Sequence, residues 1–117
     1  WQTQVLRQAQ RYPSLPISTN VKGVVSLYDV SDDWIPIYDK SDLPGFYMAI
    51  GTSGNQFKNA PVAGVLMSEL VEYCEKGNDH DNKPLSINLK YINKDIDLKF
   101  YSRNREINKE SSMSVLG

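Results

Sequence analysis

Between residues 45 and 75 the chain passes from an almost unbroken apolar run, Gly45-Phe46-Tyr47-Met48-Ala49-Ile50, through a loop bracketed by Gly51 and Gly54, into a stretch with helical apolar spacing. No other feature restricts the possible folds as much. An apolar run without polar alternation suits a strand covered on both faces, as in a parallel sheet between two layers. In residues 62–75, Ala63, Leu66, Leu70 and Cys74 recur at helical spacing. Met67 and Val71 widen that face, and Glu69, Glu72 and Glu75 lie opposite. Pro61 suits the first turn, where its missing N–H has no partner to lose. Gly77 suits the stop, where a positive φ ends the helix. The pattern predicts a strand, a loop over 51–60 and a helix over 61–76.

The flanking segments are read against that unit. Residues 2–11 lack Gly and Pro and place Val5 and Ala9 one turn apart, a short amphipathic helix stopped at Tyr12-Pro13. Residues 21–28 are β-branched and aromatic and predict a strand. Residues 29–33 read as a polar turn. Residues 34–38 read as a short extended piece that Pro36 confines to an edge or bend. A second turn is expected over 39–44. After a polar loop at 78–83, Leu85-Ser86-Ile87-Asn88-Leu89 alternates as a strand does. Residues 96–100 are periodic but short, and 104–114 read as a polar, mobile stretch before Val115 and Leu116.

Composition narrows the function classes. Thirteen Lys and Arg against 14 Asp and Glu leave a net charge of −1, so no basic excess is available to neutralise phosphates and nucleic acid is not an expected partner. The single cysteine excludes an internal disulfide framework and a cysteine-based zinc site. No apolar run approaches the length of a membrane span, and no leader pattern is visible. A chain that starts on Trp1 in a helical pattern reads as a piece of something longer.

The chemistry-bearing candidate is the loop. A strand that delivers the chain onto a helix start creates an anion or dipole site, because the first helical amides have no partner within the helix. Thr52 and Ser53 add hydroxyls and Lys58 adds one cation. Ordinary turn chemistry explains the same glycines. The spacing is neither a P-loop nor a dinucleotide fingerprint. Asp79-His80-Asp81 offers three metal-capable groups without a distant partner histidine and reads as a solvated turn; no metal site is expected. Asp32 and Asp33 read as turn or cap residues rather than paired acids. Cys74 reads as a small apolar residue, and Tyr28, Trp34 and Tyr38 as packing residues.

In order and spacing, Asp33-Trp34-Ile35-Pro36-Ile37 followed by Gly51-Thr52-Ser53-Gly54-Asn55-Gln56-Phe57-Lys58 resembles the C-terminal part of the FAD-dependent amino-acid and amine oxidoreductases. This is the superfamily of D-amino-acid oxidase, glycine oxidase and sarcosine oxidase. The stretch "DLKFYSRNRE" and the terminal "SVLG" are similar to a subset of these enzymes, so the resemblance covers residues 5–117. Asn55 and Gln56 stand where the family usually has His and Gly. Ser26 stands where members with covalent flavin carry cysteine, so that link is not expected. The family's N-terminal G-x-G-x-x-G is absent.

The resemblance implies an α+β fragment: antiparallel strands closing a substrate domain over 1–32, and over 33–117 the last strand and C-terminal helix of an FAD-binding α/β domain. It implies FAD as cofactor, Gly51, Thr52, Ser53, Gly54, Asn55, Gln56, Phe57 and Lys58 as flavin-facing residues, and Lys58 near flavin and substrate carboxylate. The activity implied is oxidation of the C–N bond of a small amine or amino acid in the cytoplasm, completed by an N-terminal dinucleotide-binding half of the same protein. The isolated chain is then expected to be inactive. The alternative is a stand-alone, non-catalytic binding domain whose loop takes an anion or a partner protein.

Overall fold

The computed structural model describes residues 2–20 and 22–114. It is a small α+β fold of two α-helices and two separate two-stranded antiparallel sheets. Helix α1 spans Gln2–Arg11, with its end at the predicted Tyr12-Pro13 boundary. It buries none of its residues, because Val5 and Ala9 alone make too narrow an apolar stripe to hold a helix against a core. Strand β1 (Ile37–Lys40) pairs with β2 (Tyr47–Ile50), Ile37 opposite Ile50 and Lys40 opposite Tyr47. Helix α2 (Ala60–Glu75) follows, then β3 (Ser86–Leu89) and β4 (Lys94–Asp97), which pair with Ser86 opposite Asp97. A 3-10 turn at Phe57–Asn59 leads into α2, and another at Leu98–Tyr101 follows β4.

The core is formed by the predicted face of α2. Leu66 and Leu70 pack with Tyr38 of β1 and Leu98, and Ala63, Met67, Cys74 and Ile87 close around them. Pro61 lies in the first turn of α2. Gly77 takes φ +83° and its N–H bonds the Cys74 carbonyl at 2.8 Å, which ends the helix as expected.

Four expectations need correction. The run 45–50 is not covered on both faces, nor part of a parallel sheet: β2 lies at the edge of an antiparallel pair, with Phe46 and Ile50 about half exposed. The strand buried on both faces is β1, whose neighbours Tyr38 and Asp39 point to opposite sides and are both buried. The turn expected over 39–44 begins only at Ser41, because Asp39 and Lys40 complete β1. The strand expected over 21–28 does not form. Val21 lies outside the described residues, and among those described 22–28 pair with no other segment, leaving Val24, Val25 and Leu27 almost fully exposed. A strand needs a partner ladder, and each of the two sheets is a local hairpin closed on its own neighbouring strands.

The fourth correction concerns the polar stretch 104–114, which is pinned rather than loose. The Arg105 guanidinium grips the buried Asp33 carboxylate through Nε at 3.0 Å and a terminal nitrogen at 2.6 Å, and the Asn108 N–H reaches the same group. Residues 115–117, including Val115 and Leu116, lie outside the described residues.

Candidate functional site

The loop after β2 is built on the segment before β1. The Asp29 carboxylate accepts the Gly51 N–H and, at 2.6 Å, the Thr52 hydroxyl, while its carbonyl accepts the Ser53 N–H at 2.9 Å. The Thr52 hydroxyl, with the Gly51 amide behind it, holds the Asp29 carboxyl below its ordinary value. Gly51, Ser53 and Gly54 all adopt positive φ, at +69°, +50° and +74°. Ser53 is fully buried and donates its hydroxyl to the Gly51 carbonyl at 3.1 Å.

Both glycines serve the protein's own packing. A Cβ on Gly51 would meet Ser31 at 3.2 Å, and one on Gly54 would meet the Tyr28 ring at 3.0 Å. Ser53, Gly51 and Gly54 are thus spent on the fold of the loop. Of the predicted residues, Thr52, Gly54, Gln56 and Phe57 line one open cavity of about 500 Å³, with Tyr38, Ala49, Ala60 and Ala63. Gln56 is held at its rim: its Oε1 accepts from the Tyr38 hydroxyl at 3.1 Å and from the Asn59 amide at 3.0 Å, and its Nε2 donates to Asn55. Phe57 is 98% exposed. Lys58 lies beside it on the 3-10 turn, exposed.

Neither the 3-10 turn nor α2 has a side-chain cap at its start. The cavity therefore combines an apolar wall from Ala49, Ala60, Ala63 and Phe57 with polar groups at Thr52 and Gln56. The helix start beside it is covered by backbone: the Asn59 N–H goes to the Gln56 carbonyl at 2.9 Å, the Ala60 N–H to the Phe57 carbonyl, and Pro61 has none. The cavity is open and mainly apolar, with two polar side chains at its edge.

Sequence reasoning missed the molecule's densest polar cluster. Asp39, fully buried, accepts from the Ser102 hydroxyl, the Arg103 N–H and the Arg103 guanidinium at 3.1, 2.8 and 3.2 Å. The same guanidinium reaches Asp81 and Asp42 at 2.8 and 2.6 Å, and Lys40 also pairs with Asp81. Arg103, then Lys40, bring the Asp81 carboxyl down to about 2. The segment 79–81 is therefore not a solvated turn: His80 is 1% exposed, and only Asp79 does the expected turn work, accepting from the amides of Asp81 and Asn82. The signal available in the sequence was three acids, Asp39, Asp42 and Asp81, with Arg103, whose meeting depends on the fold. Asp33 is likewise more than a turn residue, since Arg105 buries it as an ion pair. Cys74 packs against the core as expected, and burial raises its thiol above its ordinary value. Among the described residues no three His, Cys, Asp or Glu side chains gather as metal ligands, and no helix is long and apolar enough to cross a membrane.

Compared with protein-family models, curated proteins and solved structures, the chain finds no match. What defines it is the α+β fold and the strand–loop–helix unit around the cavity.

Proposed function

We propose that this chain is the flavin-facing C-terminal portion of an FAD-dependent oxidoreductase that oxidises the C–N bond of a small amine or amino acid. The observation that carries the proposal is the ordered pair of motifs, 33–37 and 51–58, whose second member lines a cavity beside the start of α2. The exposed apolar segment 22–30 also supports it, since Val24, Val25 and Leu27 would gain cover from an antiparallel sheet contributed by a substrate domain.

The hydride chemistry is supplied by FAD when bound. The residues of this chain would orient and polarise. Ala49, Ala60, Ala63 and Phe57 offer an exposed apolar surface that a bound ring would cover. The dipole of α2 would favour negative charge on a ring edge set near its start. Lys58 offers a cation to a substrate carboxylate or to reduced flavin. The adenine half of FAD finds no glycine fingerprint in this sequence, so the phosphates need another part of the protein.

The test is the complete gene product that carries these residues. It should purify with a flavin absorbance spectrum and release that flavin on acid precipitation, because Ser26 offers no thiol. Lys58→Met should lower kcat/KM on amino-acid substrates about ten- to a hundredfold, the loss of one charge-assisted hydrogen bond. Amines without a carboxylate should suffer less if the substrate is the partner of Lys58, and equally if flavin is. A gene product without flavin and without amine oxidation overturns the proposal.

A further inference from the structure

We propose that His80 is a pH-operated latch: its neutral ring clasps the loop after α2 to the start of β3, and a second proton on the ring opens that clasp. The ring sits in the segment between α2 and β3, 1% exposed, with its edge toward Tyr73 of α2. Nδ1 accepts the Leu85 N–H at 3.2 Å and therefore carries no proton. The neutral ring must then hold its proton on Nε2, which is buried without a hydrogen-bond partner. The nearest acceptor, Asp39 Oδ1, stands at 3.7 Å, beyond hydrogen-bond reach, and already takes the Lys40 N–H at 2.7 Å.

A second proton has one place to go, Nδ1. There it sets donor against donor at Leu85 and breaks the clasp. The charged groups around the ring do not remove this cost. Asp39 and Lys40 face it from β1, Asp81 from its own loop and Arg103 from beyond the second 3-10 turn. The two acids are already matched by Arg103 and Lys40, in part through direct contacts. Burial is the strongest influence and lowers the ring's basicity below its ordinary value. A group depressed in the folded state contributes stability that is present above its unfolded value, near 6.5, and lost as pH falls. Opening would reach further than one bond, because the Leu85 carbonyl accepts the N–H of Leu98, a core residue, at 2.9 Å.

The chain has one histidine, so one imidazole signal reports its titration by proton NMR without assignment. Amide exchange at Leu85 is read alongside, corrected for the intrinsic pH dependence of exchange. Between pH 7.5 and 5.0, protection at Leu85 should fall roughly 10- to 30-fold, the linkage limit for a group that titrates near 6.5 only when open. His80→Gln, which offers an uncharged acceptor to Leu85, should flatten the profile. A ring that titrates at or above 6.5 in the folded chain, or protection at Leu85 indifferent to pH, overturns the latch. Both readings come from the wild-type chain and stand even if the variant does not fold.

Discussion

Two glycines, ten residues apart, should respond to the same substitution with opposite sign. Gly54 sits in the loop at φ +74°, and a Cβ there would lie 3.0 to 3.2 Å from three carbons of the Tyr28 ring. Gly64 sits inside α2 with nothing within 4 Å of its Cβ position. For Gly54→Ala the left-handed backbone costs about 1–2 kcal/mol. The ring contact adds about 1 kcal/mol, the low end of overpacking, since Tyr28 is half exposed and can swing outward. The sum, about 2–3 kcal/mol, lowers Tm by roughly 8–12 °C in a chain of this size. Gly64→Ala instead restores helix propensity at an open position and should stabilise by about 1 kcal/mol. Thermal unfolding followed by far-UV circular dichroism reads both. In a Tyr28→Ala background the cost of Gly54→Ala should shrink to its backbone part. Equal shifts of the same sign at the two glycines would falsify the account of the loop, as would a Gly54→Ala chain melting with the wild type.

The ion pair at the end of the chain makes its own prediction. Arg105→Met strips both guanidinium bonds from the buried Asp33 carboxylate, leaving it the Ile35 and Asn108 amides and the Ser31 hydroxyl, and should cost about 3 kcal/mol in urea unfolding. Arg105 holds the Asp33 carboxyl well below its ordinary value of 3.8. The pair therefore stabilises fully above that value and loses its contribution as pH falls further, and the variant should show a flatter acid limb. The exposed run through Val24, Val25 and Leu27 should drive self-association, visible by sedimentation velocity. Val25→Lys with Leu27→Lys should return a monomer; unchanged association would place the sticky surface elsewhere. FAD should bind the 117-residue chain weakly, and a tightly held stoichiometric flavin would contradict the missing fingerprint.

What could be read from the residues is what local chemistry decides. Helix α2, its proline start and its Gly77 stop depend on spacing and backbone preference within sixteen or so residues, and the structure follows them. The same holds for α1 and β3. Run 45–50 was misplaced because an apolar run states that a strand wants cover without stating what covers it. The tertiary arrangement gives that cover to β1, with Tyr38 against α2 and Asp39 against 102–103. The segment 22–28 shows the converse: strand preference without a ladder yields an extended, unpaired chain.

The candidate site divides along the same line. The loop was legible as a loop, because glycines that need positive φ leave a mark in the sequence. Why they are needed was not legible. Gly54 makes room for Tyr28, and Asp29 ties the Gly51 amide and Thr52 hydroxyl, contacts that span more than twenty residues. The chain's own upstream segment packs against both glycines, and an open cavity lies beside Gly54, Phe57 and Ala63. That arrangement bears on how the site can vary. Asn55 and Gln56 bear no positive φ, and their side chains bond to one another and, from Gln56, to Tyr38 rather than to Asp29. An exchange at Gln56, which lines the cavity, should accordingly alter the cavity while the loop backbone stays the same, and an exchange at Gly51, which does not line it, should disturb the loop.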